Sequence, residues 1–152
     1  MSPAGEPSAH RRPESVLVVV HTREGEVLLL RRVEPPDFWQ SVTGALLPAE
    51  TPGDAAGREL VEETGITALG ALVNTGIVRE FPIVGPWRAR YAPGVTVNRE
   101  HAFTLALPAR VPVRLAPDEH AECVWLPAAE AAERVASWTN RDAIRRLFAR
   151  EG

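Results

Sequence analysis

The stretch Gly44–Ile66, GALLPAETPGDAAGRELVEETGI, constrains this chain more than any other. Its last third carries Arg58, Glu59, Glu62 and Glu63, where the pattern predicts a helix from about Pro52 to Thr64. Thr51 suits an N-cap, Pro52 the first helical position and Gly65 the residue just past the end. Residues three and four apart share a helix face, so Glu59, Glu62 and Glu63 fall on one narrow arc with Arg58 beside Glu62. Gly57, Leu60 and Val61 turn towards packing. Like charges at this spacing cost an isolated helix roughly 0.2–0.5 kcal/mol per pair. A sequence keeps such an arc either as a solvated face or as a cation site. Hard divalent ions such as Mg²⁺ are held by a few carboxylates together with waters and substrate phosphates.

The rest of the composition narrows the setting. The chain has 152 residues, enough for one domain with its own core, expected over 11–152 behind a disordered polar tail at 1–10. The net charge of −3 gives no footprint for nucleic acid, although all 17 Lys+Arg cations are arginine. Cys123 stands alone, which leaves no intramolecular disulfide and suits a reducing compartment. No apolar run approaches a membrane span, and the opening MSPAGEPSAHRRPES lacks the apolar centre of a signal peptide. A cytoplasmic protein without membrane or nucleic-acid partners is the expectation.

Strands are expected at Ser15–Thr22, Glu26–Arg31, Phe38–Val42, His101–Leu107 and Glu122–Leu126. Two poorly bounded ones are expected at Ile66–Val73 and Gly76–Phe81. The Pro- and Gly-rich segment Pro82–Asn98 reads as a long loop, a class that is functional or disordered inside compact domains. Ala128–Ala136 is helical, and a last helix from Thr139 or Asn140 carries Ile144, Leu147 and Phe148 on one face. Apolar surface there leaves a homodimer open.

Gly44, Glu50 after five intervening residues, and RELVEETGI after seven more fill every fixed position of a known signature, with Leu60 and Ile66 in its apolar slots. On these residues the chain is identified as resembling the Nudix hydrolases. The resemblance implies an α+β fold, a Nudix-type α/β/α sandwich with a mixed central β-sheet. It also implies hydrolysis of a phosphoanhydride with Mg²⁺, or Mn²⁺ as a substitute. Glu59, Glu62 and Glu63 would then form the metal shell, with Glu62, Arg58 and Glu59 as the catalytic group. Arg58 is expected to orient a carboxylate rather than to touch substrate. Glu50 either braces the helix or reaches the metal through water, and Gly44 brings a backbone carbonyl close where a side chain would obstruct.

Three further strings, Asp37–Gly44 (DFWQSVTG), Arg88–Asn98 (RARYAPGVTVN) and Ser137–Ile144 (SWTNRDAI), join the opening RRPESVLVVV. Together they resemble one branch of the family, the bacterial dihydroneopterin triphosphate pyrophosphohydrolases, also described as dATP pyrophosphohydrolases. The likeness runs from about Arg11 to Phe148. It implies a small-molecule pterin or nucleoside triphosphate as partner, with Glu119 joining Glu59 and Glu63 on the metal. Arg11, Arg31, Thr43, Arg90 and Ser137 would meet the substrate. Arg79–Gly85 (REFPIVG) departs from the pattern, with Pro82 removing a backbone donor. Trp39 and Trp125, flanked by apolar strand residues, read as core, whereas Trp87 and Trp138 are candidates to stack on a planar ring. The alternatives are a sanitising (d)NTP pyrophosphohydrolase and, given the intact REUxEE string, less readily a non-catalytic binding module.

Overall fold

A computed structural model describes residues 10–67 and 69–149 of the chain. The sheet grows from the β-branched run of β1 (Glu14–Thr22), whose side chains alternate between two buried faces. Val16, Val18 and Val20 point to one core, and Val19 to the other. Its hairpin partner β2 (Glu26–Arg32) alternates in the same way, Leu28 and Leu30 against Val27 and Leu29. A sheet buried on both faces reads as a continuous apolar run, which these two strands show.

The hairpin is held only near its turn, where His21 pairs with Val27. Beyond that point β1 and β2 splay apart. The short β3 (Trp39–Gln40) pairs with Leu30 and Arg31, and β4 (Val42–Ala45) pairs with Ser15–Val18. The expected single strand at Phe38–Val42 is thus two short ones broken at Ser41, whose N–H donates to Asn140 Oδ1 at 2.8 Å. On the far side of β1, β6 (Val97–Leu107) runs parallel in register from Glu14↔Arg99 to Thr22↔Leu107. Outside it, β5 (Leu72–Pro82) is antiparallel, and β7 (His120–Pro127) pairs with β2.

Ile66–Val73 is not a strand as expected: a 3₁₀ turn at Leu69–Ala71 precedes β5, which begins at Leu72. Pro82 does not end the pairing, because Ile83 N–H still donates to Thr96 O at 2.8 Å. The segment read as a long loop carries a 3₁₀ turn at Gly85–Arg90, and β6 starts four residues before the expected His101.

Helix α1 (Pro52–Thr64) forms where the caps placed it. Thr51 Oγ1 accepts from Asp54 N–H at 3.2 Å, and Gly65 at φ 75° donates to Val61 O at 2.9 Å. It lays Ala55, Ala56 and Leu60 on the Val16–Val20 face. Truncating a buried leucine such as Leu60 to alanine costs about 2–5 kcal/mol. The other face is covered by α2 (Ala128–Arg134) and α3 (Trp138–Ala149) through Ala131, Ala132, Val135 and Ile144. Leu147 and Phe148, partly buried, pack against this core. Trp39 packs on this core and Trp125 on the other. The result is a mixed sheet between helices. Among the described residues no helix is long and apolar enough to cross a membrane. The expected tail falls almost wholly outside the described residues.

Candidate active site

The splaying of β1 from β2 opens a cleft of about 730 Å³ at the point where β4 hands the chain to α1. Glu59 and Glu63 reach it from α1, while Glu62 does not. The reason lies in helix geometry. Glu59 and Glu63 share the inward stripe of Ala55, Ala56 and Leu60, and the side chain of Glu62 is rotated off it and 57% exposed. The Glu62 side chain lies on the solvent side of α1 beside Arg58, at 3.3 Å.

Arg58 organises the approach without lining the cleft. Its Nε and Nη2 donate to the two Glu50 oxygens at 2.9 Å each, and Nη2 also to Ala45 O at 3.0 Å. Nη1 donates to Glu59 Oε2 at 3.1 Å. The Glu50 salt bridge holds Arg58 protonated far above its ordinary range and holds the Glu50 carboxyl below its own. Since Glu50 also accepts Leu47 N–H at 2.8 Å, its oxygens are committed to bracing the β4–α1 connection.

Glu63 is 3% exposed, and its Oε1 has no hydrogen-bond partner. Burial, the adjacent Glu59 and the facing Glu119 together push its carboxyl well above the usual range. Burial likewise raises Glu59, against the opposing pull of Arg58. Gly44 leaves the room Glu59 needs, because a Cβ there would stand 2.7 Å from Glu59 Oε1 and closer still to Oε2. Glu119 enters from the turn before β7, tied to the end of β2 by Val33 N–H donating to Glu119 O at 2.9 Å.

This donor set fits a hard divalent cation. An orphaned, buried carboxylate oxygen beside a second carboxylate is costly unless a cation neutralises both. Among the described residues no three acidic, imidazole or thiol groups converge at coordinating distance as the side chains stand. Two carboxylates are nonetheless what Mg²⁺ commonly takes from protein, the rest being water and phosphate oxygens.

A cationic wall faces the carboxylates. Arg32, Arg11 and Arg90 line the cleft, and Arg11 N–H donates to Arg90 O at 2.7 Å. Arg32 loses proton affinity first to burial and then to Arg90, while Glu119 and Glu63 pull it back. Its guanidinium lies 4.9 Å from the Trp87 ring centroid and that of Arg90 lies 5.1 Å from it, with Phe38 edge-on at 5.8 Å. Trp87 thus holds the two arginines in place. Trp138, 51% exposed, lies at the rim.

Arg31, expected on substrate, is not among the lining residues. It sits on the opposite face of β2, donating to Glu122 Oε1 at 2.9 Å and Pro36 O at 3.1 Å. Its neighbour Arg32, on the side of Leu28 and Leu30, is the one that enters. Thr43 lines the cleft with its hydroxyl donating to Val16 O at 2.8 Å, and Ser137 lines it while accepting Asn140 N–H at 3.1 Å. Asn98 and Glu100 of β6 and Gln40 of β3 also line it, and the sequence reading had not singled them out. Gln40 meets the Nε2 of His120 at 3.1 Å, and burial pushes that imidazole down to about 4, so it is neutral and accepts.

The NUDIX domain family matches residues 11–147. The chain is 43% identical over 139 residues to the dihydroneopterin triphosphate diphosphatase of Escherichia coli K12, covering 89% of this chain and 91% of that one. It is 37% identical over 144 residues to the Haemophilus influenzae protein of the same name, covering 91% and 89%. The structure of the E. coli dihydroneopterin triphosphate pyrophosphohydrolase superposes with a TM-score of 0.88 at 41% identity, over 93% of this chain and 99% of that one. A carboxylate pair presented by an intact signature helix, on this sheet and across nearly the whole length of such relatives, places the chain in the Nudix hydrolase family.

Proposed function

We propose that this enzyme hydrolyses dihydroneopterin triphosphate to dihydroneopterin monophosphate and pyrophosphate, a step of folate biosynthesis, in the cytoplasm. The observation that carries the reading is one cleft in which the Glu59–Glu63 pair and the Arg11, Arg32 and Arg90 wall face each other. A triphosphate with bound cation is the ligand whose charges answer both walls. Identity to the diphosphatases named above, over most of both chains, supports the pterin as the group it carries.

A bound Mg²⁺, or Mn²⁺ in its place, would neutralise phosphate charge and lower the pKa of a bound water. Glu59 and Glu63 would hold it, with Glu119 opposite. The chain's own contribution is placement. Arg58 fixes the Glu59 rotamer, and the three arginines bind phosphate oxygens through charge-assisted hydrogen bonds. Asn140, bonded to Ser41 through both ends of its amide, ties α3 to the β3–β4 junction at the cleft wall.

The carboxylates and arginines read only the polyphosphate, so dATP and other (d)NTPs are expected to turn over too. Side-by-side kcat/KM for dihydroneopterin triphosphate, dATP and 8-oxo-dGTP tests the assignment. The pterin should be preferred; preference for the oxidised nucleotide by orders of magnitude would make this a pool-sanitising enzyme instead.

A further inference from the structure

Phosphoanhydride cleavage makes no demand on one part of the cleft. Asn98 and Glu100 leave β6 on the same side, two residues apart, and both are buried, 3% and 6% exposed. Asn98 Nδ2 donates to Ser15 Oγ at 2.8 Å, while its Oδ1 has no partner. Glu100 is unusual in a different way. Among the described residues no cation pairs with it, and only the Thr139 hydroxyl offsets its burial. Two acceptors in a buried corner, neither matched by an internal donor beyond that hydroxyl, cost stability unless a ligand supplies N–H groups.

Strand register says how far this corner lies from the phosphates. Ala45, Ser15 and Glu100 form one rung across β4, β1 and β6. Two strand spacings put Glu100 about 10 Å from the β4 strand that ends beside Glu59. The Glu100 side chain leaves β6 on the face opposite Phe103 and Leu105, which pack under α1, and meets Thr139 of α3 instead of the Glu59–Glu63 pair. A separation of about 10 Å suits the ring of a ligand whose triphosphate lies at that pair. Phe81 and Ile83 supply apolar wall on the same side.

We propose that Glu100, assisted by Asn98, reads the heterocycle, its carboxylate accepting the ring N–H and the exocyclic amino group of a 2-amino-4-oxo pyrimidine ring. A carboxylate takes two parallel donors, and that edge presents two side by side. Adenine presents a donor beside an acceptor and satisfies only half of the pattern. Glu100 is thus a specificity-determining residue, an assignment that rests on the triphosphate reading above.

The test is Glu100→Gln, which replaces an acceptor pair by one acceptor and one donor at nearly constant volume. The kcat/KM ratio of dihydroneopterin triphosphate to dATP should fall about 10–100-fold, the range for losing a charge-assisted hydrogen bond and burying a mismatch. dGTP should follow the pterin in direction. Equal loss on all three, or an unchanged ratio, would overturn the proposal. A wild-type measurement stands if the variant does not fold. Unphosphorylated 7,8-dihydroneopterin should inhibit at least ~10-fold more tightly than its 2-deamino-2-oxo analogue, whose oxygen faces the carboxylate; equal inhibition would refute the contact. If folded wild-type enzyme with Mg²⁺ cleaves none of the triphosphates, it is the underlying functional reading that fails.

Discussion

Replacing Gly44 with alanine perturbs the packing of the Glu59 carboxylate with little change to the rest of the fold. Gly44 has no left-handed φ that would exclude a side chain, and β4 tolerates alanine as a strand residue. The nearest obstacle is Glu59. The new Cβ would lie 2.7 Å from Oε1 and closer to the other carboxyl atoms, where ordinary contact begins at 3.4 Å. The carboxylate must therefore move by about 1 Å or more, away from the Arg58 Nη1 that fixes it at 3.1 Å. A displacement of that size at a reacting centre costs on the order of 10²-fold in rate. The loss of this part-buried, charged hydrogen bond costs about 1.5–3 kcal/mol in stability. The assay is kcat for pyrophosphate release beside a thermal melt without metal. Expected are a hundredfold slower enzyme, a melt lowered by only several degrees and weaker stabilisation by Mg²⁺. Wild-type kcat in this variant would refute the close approach of Glu59 to the β4 backbone.

Other outcomes follow from the same geometry. Glu63→Gln should abolish Mg²⁺-dependent turnover yet raise the melting temperature of the metal-free protein at pH 8. A carboxyl raised by burial stabilises the fold only while protonated, and the amide imitates that form; a lowered apo melt would contradict this. Arg32→Ala should reduce kcat/KM about tenfold or more, whereas Arg31→Ala, which breaks a surface pair with Glu122, should leave kinetics within about twofold. Glu100, pushed up to about 7 by burial, has its folded pKa above the unfolded 4.5. Its stabilising contribution is complete below pH 4.5 and is lost as pH rises to 7, by about 3 kcal/mol at most. Urea unfolding of wild type against Glu100→Gln across that window should show the gap widen with pH, and parallel curves would contradict it.

The signature helix was legible because its information is local. Thr51, Pro52 and Gly65 cap it by backbone chemistry that no distant contact overrides. The sequence did not say which edge of the glutamate arc faces inward, although Ala56 and Leu60 carry that answer: Glu59 and Glu63 lie on their stripe and Glu62 does not. Strand parity would similarly have chosen Arg32 over Arg31, since Arg32 follows Leu28 and Leu30 on one face. Asn98 and Glu100 were hidden for a different reason. The string VNREHAF buries polar residues alternately, so its period carries no hydrophobic signal, and only the parallel pairing with β1 reveals the strand. That pairing spans more than eighty residues of separation and cannot be read locally. The composition of the Pro82–Asn98 segment marked it as functional or disordered without choosing, and its 3₁₀ turn, which carries Trp87 and Arg90 to the cleft, was not legible.

The most direct measurement is a crystal of this enzyme grown with Mg²⁺ and a non-cleavable dihydroneopterin triphosphate analogue. The account requires a cation within about 2.1 Å of oxygens of both Glu59 and Glu63, and phosphates against Arg11, Arg32 and Arg90. An ion bound elsewhere, or a triphosphate lying away from that carboxylate pair, would contradict it.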